Sequence, residues 1–255
     1  MKEYIREHQI KGWRNSPLYC RFTPTSVQGE RLTFGKQNLL IMRKLMMKMS
    51  LSIDGFVGTA DGKVDWIFKS SDEASRAWLV DLCWSAGLHI MGSRTFHDMA
   101  SYWPTSPMPL AAPMNEIPKA LFTRKGFAGF DPTLTTAAVE STRKYQAEQG
   151  LPIGTELSPA AATWAGARVF NGDLAEEISA LKAEEGKPIL AHGGAGFMRS
   201  LIETGLIDEY HLVTHPAALG TGLPIFNGLS KPLDLKLVSV KTFPGGVVAH
   251  TYHPA

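Results

Sequence analysis

The stretch PILAHGGAGFMRSLIETG, residues 188–205, constrains the fold more than any other part of the chain. It opens on Ile189-Leu190-Ala191, a short apolar run with the length and content of a buried strand. Gly193, Gly194, Ala195 and Gly196 follow, with almost no side chain among them. An amphipathic segment then puts Phe197, Met198, Leu201 and Ile202 on one helical face and stops at Gly205, a good residue just past a helix end. Strand, glycine turn and helix in that order leave free backbone N–H groups at a helix N-terminus, which is a ready anion site. A bulky residue in the turn would keep a diphosphate from the backbone. The pattern also fits a tight turn that holds no ligand, and a glycine cluster alone does not choose between the two.

The chain upstream repeats the theme. From Arg43, RKLMMKMSLSIDGFVG reads as a strand closed by Asp54-Gly55. Val64 to Phe68 reads as a second strand, and Ser70 with Glu73 has capping-box spacing for a helix carrying Ala74, Trp78, Leu79, Leu82, Cys83 and Ala86 inward. Leu88 to Met91 is a short buried strand that breaks at Gly92-Ser93-Arg94-Thr95-Phe96, again glycine at the mouth of a helix, now beside an arginine. Four prolines between Pro104 and Pro113 predict an irregular loop, and Ala120 to Phe122 a strand ending on Thr123-Arg124-Lys125. Thr136 to Gln149 fits a helix and Leu151 to Pro159 a loop. Arg168 to Phe170 fits a strand, and Asp173 caps the helix that follows it. Leu235 to Phe243 and Val247 to His253 flank Pro244-Gly245-Gly246 as a terminal β-hairpin.

Strands alternating with helices predict an α/β domain with a mostly parallel sheet, in which ligands bind at the carboxyl ends of strands. The unusual residues sit at three such ends: Gly92 to Thr95, Thr123-Arg124 and Gly193 to Gly196. One diphosphate-containing ligand lying across them explains all three. No GxGxxG follows the first strand and no GxxxxGK[ST] occurs, which argues against an ordinary Rossmann domain and a P-loop.

Composition narrows the partners. A formal net charge of +2 over 255 residues gives no reason to expect nucleic acid, and no apolar run approaches the ~20 residues that span a bilayer. Cys20 and Cys83 are too few for a disulfide framework or a zinc site between them, so a reducing, cytoplasmic setting is expected. His192, His211 and His215 stand at no recognisable ligand spacing, and no metal is expected. Residues 1–41 lack a sustained period and read as a poorly ordered N-terminal extension, with residues 42–255 forming the domain.

Together, SLSIDGFVG (50–58), IMGSRTF (90–96), LFTRK (121–125), FNGDLAEEISALK (170–182), the 189–226 stretch and the final hairpin resemble the dihydrofolate reductase-like superfamily. They are most similar to its RibD C-terminal branch, the reductase domain of riboflavin biosynthesis and its stand-alone relatives. The resemblance implies a dihydrofolate reductase-like α/β fold, with a mostly parallel central sheet flanked by helices and a C-terminal antiparallel hairpin. It implies NADPH as cofactor, a small pyrimidine- or pteridine-like substrate and a homodimer. Gly193, Gly194, Ala195 and Gly196 match the family's pyrophosphate loop, and Gly92, Ser93, Arg94 and Thr95 its second phosphate-binding turn. Thr123 and Arg124 match the strand end that meets the adenosine 2′-phosphate. Asp54 matches the acidic residue beside nicotinamide and substrate, and is the catalytic candidate. Residues 126–166 are longer than the usual connection and stand as an insertion. With no HxE or PCxxC, the zinc deaminase half of the bifunctional enzyme is absent. The competing expectations are an NADP(H)-binding protein without turnover, or a reductase of an unrelated small molecule.

Overall fold

β1 (Leu45–Leu51) is buried along almost its whole length, and its alternation organises the molecule. A computed structural model describes residues 42–127, 129 and 137–255. The expectation for residues 1–41 and part of that for 126–166 lie outside them. The described residues all belong to one compact unit, Leu40–Ala255.

Along β1, Leu45, Met47, Met49 and Leu51 face one side of the sheet, as the period of two requires. There they meet Ile178 and Leu181 of α6 (Leu174–Ala183) and Met198, Leu201 and Ile202 of α7 (Ala195–Glu203). Met46 points the other way, into a cluster with Leu82 and Cys83 of α1 (Glu73–Trp84), Phe96 of α2 (Ser93–Ala100), Met114 of α3 (Ala111–Glu116) and Trp164 of α5 (Ala162–Ala165). Helices on both faces are what a parallel sheet demands. Truncating a buried aromatic such as Phe96, 0% exposed, would cost roughly 3–5 kcal/mol.

Eight strands lie in the order β4-β3-β2-β5-β1-β6-β8-β7. β2 (Leu88–Gly92), β3 (Lys119–Phe122), β4 (Arg168–Phe170), β5 (Ile189–His192) and β6 (Glu209–Thr214) join β1 in parallel pairing. β8 (Val248–Pro254) runs antiparallel to β6 and to β7 (Leu235–Thr242), so the predicted sheet and terminal hairpin are present. The chain works outward from β1 to β4 and then returns with β5 between β1 and β2. The carboxyl ends around β5 are therefore where a crevice opens.

Local chemistry explains the helix boundaries. Asp173 caps α6 by accepting from the N–H groups of Ala175 and Glu176, and Gly205 (φ +68°) follows the end of α7 in the left-handed region.

Three expectations need correction. Val64 to Phe68 is not a strand but a turn of 3-10 helix at Asp65–Ile67, with Ile67 N–H donating to Val64 and Phe68 N–H to Asp65. A short apolar run fits either conformation, and among the described residues no strand pairs with it. α1 is capped by Asp72 with Ser75, not by Ser70 with Glu73, because the Ser70 hydroxyl is 2.9 Å from His215 Nδ1. The proline-rich stretch contains α3, which tolerates Pro113 because a proline in the first helical turn forfeits no intrahelical bond.

Candidate functional site

A cleft of about 1590 Å³ runs across the carboxyl ends of the parallel strands. All ten residues expected at a cofactor site line it: Gly92, Ser93, Arg94 and Thr95 after β2, Thr123 and Arg124 after β3, and Gly193, Gly194, Ala195 and Gly196 after β5.

The two glycine turns interlock. A side-chain carbon built on Gly194 would stand 2.7 Å from Thr95 Oγ1, and one on Gly193 would stand 3.2 Å from Thr95 Cγ2. In return, a carbon on Gly92 would meet Phe197 Cβ at 2.8 Å. Gly194 is also the N-cap of α7, at φ +82°, with no side-chain oxygen over the helix end. α2 begins the same way, on Gly92 with no side-chain cap. Two helix N-termini with unsatisfied N–H groups thus meet in one cleft, and their dipoles add there.

Arg94, Arg124, Lys125 and Arg199 bring positive charge to the same walls. Arg94 and Arg124 are exposed, and among the described residues neither forms an ion pair. Thr123 is fixed by its N–H donating to Phe170 O (2.9 Å) and its hydroxyl to Gly126 O (3.0 Å). Beside it, Phe122 stacks on Phe170 at 5.0 Å and on Phe197 at 5.3 Å, a flat aromatic wall. Such pairs contribute about 0.5–1.5 kcal/mol each beyond area burial.

Asp54 lies elsewhere. It is not among the residues lining the cleft, and its carboxylate is committed to a turn. Ser52 Oγ donates to it at 2.5 Å, Leu219 N–H at 3.0 Å and Gly220 N–H at 2.7 Å. The Ser52 hydroxyl first, and then those N–H groups, hold Asp54 below the usual carboxylate range. Its visible role is to tie the end of β1 to the loop after β6.

The cleft floor instead carries Lys48 and Ser50 of β1 and His192 of β5, none of them singled out as a ligand group from the sequence. Lys48 pairs with His192 in the β1–β5 register, and its ammonium donates to Ser50 Oγ at 3.0 Å. Burial lowers the Lys48 pKa and pushes His192 well below the ordinary histidine value. The signal was present in RKLMMKMSLS: alternation puts Lys48 and Ser50 on one face of an otherwise apolar strand. The 126–166 insertion reaches the cleft too. In α4 (Ala137–Glu148), Ala138, Val139 and Thr142 line it, while Tyr145 stacks on Phe68 at 5.3 Å and Gln146 Nε2 donates to the Tyr102 hydroxyl at 2.7 Å.

The sequence signature of the RibD C-terminal domain matches residues 43–249, which include every part of the cleft just described. The chain belongs to that family. YyaP of Bacillus subtilis (strain 168), an uncharacterized protein, is 27% identical over 216 residues, 85% of this chain and 97% of that one. Among solved structures, a putative riboflavin biosynthesis protein from Shewanella sp. PV-4 aligns with a TM-score of 0.57 at 20% identity, covering 84% of this chain and 99% of the other. The deaminase/5-amino-6-(5-phosphoribosylamino)uracil reductase of Thermotoga maritima aligns with a TM-score of 0.54 at 16% identity, covering 84% of this chain and 57% of that protein. The fold is the dihydrofolate reductase-like one, and the family supports a pyrimidine reductase-like role. Among the described residues no helix is long and apolar enough to cross a membrane.

Proposed function

We propose that the protein is an NADPH-dependent reductase acting on a pyrimidine- or pteridine-like ring, a substrate class like that of the Thermotoga maritima reductase. The observation that carries this reading is the pair of interlocked glycine turns with two uncapped helix N-termini in one arginine-bearing cleft. The residues fit a dinucleotide. A carbon built on Gly196 would meet nothing within 4 Å, so the turn leaves open space beside free N–H groups. The 193–196 and 92–95 turns would hold the diphosphate, and Arg94 and Arg124 an adenosine 2′-phosphate.

NADPH supplies a hydride to an electron-poor C=N or C=C bond. The chain's own contribution is to position and to protonate. The partly exposed Phe170 and Phe197, backed by the buried Phe122, offer an apolar wall for a ring, and α4 closes the side of the cleft towards Phe68 and Tyr102. Lys48, with its charged form disfavoured by burial, is placed on the floor to donate a hydrogen bond or hand on a proton. A cytoplasmic homodimer goes with this reading.

The test is calorimetric titration with NADPH and NADH, followed by a pyrimidine and pteridine panel read by NADPH oxidation. Saturable NADPH binding and oxidation with at least one ring substrate are expected. No NADPH binding to the folded protein would overturn the proposal, and binding with no oxidation across the panel would leave a binding protein in its place.

A further inference from the structure

From His192 on the cleft floor inward lies a group of side chains that the reductase reading does not use. Cys83 of α1, His89 of β2 and His192 of β5 each bring one sulfur or ring nitrogen, and these atoms all lie within 4.8 Å of one another. All three residues are buried: Cys83 and His89 are 0% exposed and His192 6%. The two imidazoles meet edge to face with centroids 4.5 Å apart. His89 Nδ1 and His192 Nε2 are both buried with no hydrogen-bond partner.

Two orphaned ring nitrogens in one apolar layer are costly, since an unpaired buried polar atom loses roughly 1–3 kcal/mol. Structural histidines usually find a partner for each ring nitrogen. Among the described residues, His89 Nε2 stands 3.4 Å from the Cys83 carbonyl oxygen. That contact leaves Nδ1 as the nitrogen able to coordinate, and a backbone carbonyl on the far ring nitrogen is the usual support of a metal-bound histidine.

We propose that Cys83, His89 and His192 form a binding site for a thiophilic metal ion. One thiolate and two imidazoles suit the zinc and cuprous ions, and three protein ligands leave a fourth position open. Ligand atoms around such an ion, with bonds of about 2.0–2.3 Å, stand roughly 3.3–3.8 Å apart, so the trio needs only small side-chain rotations to close. His192 lines the cleft, which gives the ion a way in. Charge separates the two ions. A cuprous ion with one thiolate and two neutral imidazoles is net neutral, whereas zinc leaves one excess positive charge, so Cu⁺ is expected to bind more tightly.

The full-length protein is incubated with one equivalent of Zn²⁺, or of Cu⁺ under reductant, then desalted and its metal content measured. About one ion per folded chain is expected, and the ion retained identifies the occupant. Cys83→Ser, His89→Gln and His192→Gln should each weaken binding by more than the ~10–100-fold that outer-shell changes cost. Cys20→Ser should keep the ion. Because Cys83→Ser removes a buried group and can compromise folding, Co²⁺ is added to the wild type as a second readout. A thiolate-to-cobalt charge-transfer band, absent in folded His192→Gln, supports the site. Retention of neither ion, or retention undiminished in folded Cys83→Ser, overturns it.

Discussion

A side-chain carbon at Gly194 would stand 2.7 Å from Thr95 Oγ1, so the turn after β5 and the turn after β2 fill each other's space. Gly194 also holds φ +82° and ψ 94°, where an L side chain is strained. Gly194→Ala is therefore expected to destabilise the fold by about 1–3 kcal/mol and to reduce NADPH affinity sharply. Adding Thr95→Ala removes the clash but not the backbone strain, so the double variant should recover part of the stability. Denaturant melts of the four proteins in the cycle measure that coupling.

Arg94 and Arg124 stand on the turns after the neighbouring strands β2 and β3, without ion-pair partners among the described residues. A charge-assisted contact to phosphate contributes ~1.5–3 kcal/mol, about ten- to a hundredfold in affinity. Arg124→Ala should weaken NADPH by that factor and leave NADH nearly unchanged. Calorimetry showing equal losses for both cofactors would remove Arg124 from the 2′-phosphate.

Asp54→Asn separates a turn from a catalyst. The carboxylate accepts from Ser52, Leu219 and Gly220, and an amide cannot accept at both of its ends. The melting temperature should fall while NADPH affinity and turnover hold. A ~100-fold loss of turnover at unchanged melting temperature would instead give Asp54 the proton-handling role.

His215 predicts an acid-side weakness. Burial lowers its pKa to about 4, with the Lys48 charge acting in the same direction. Above the unfolded value of about 6.5 both states are neutral, and His215 adds no pH dependence. Below it the unfolded chain takes up a proton that the folded chain refuses, so stability falls at ~1.4 kcal/mol per pH unit until about pH 4. Urea melts between pH 7.5 and pH 4.5 should show the slope, and it should be shallower in His215→Gln.

Among the described residues the outer edge of β7 pairs with no strand, and Leu237, Val238 and Val240 are each about half exposed. A long apolar edge invites pairing with an identical one. Light scattering is expected to give a dimer mass at micromolar concentration, and Val240→Lys a monomer. A monomeric wild type rejects the interface.

Much of the fold was legible because its signals are local. The 189–205 stretch carries its strand, glycine turn and helix within about five turns of chain, and the Pro244-Gly245-Gly246 turn names its own hairpin. The misread segments were those where local pattern is degenerate. Val64 to Phe68 is apolar enough for a strand, yet among the described residues it pairs with none, and it closes as 3-10 turns. Ser70 has the spacing of a cap, but His215, far away in sequence, takes its hydroxyl.

The sequence by itself determined which strand ends carry the glycine turns and arginines of the cleft. In a parallel α/β sheet, glycine turns that lead from a strand into a helix lie at the carboxyl edge. Tertiary structure decided which chemistry shares a face. Lys48 stands beside His192 through the β1–β5 register, and His89 reaches His192 because β5 returns between β2 and β1. Cys83 joins them from a helix on that face. No spacing along the chain encodes this meeting, because strand order and register are settled by packing both faces of the sheet at once. The same packing left Asp54 outside the cleft, bound to a loop that local sequence gave no reason to place against it.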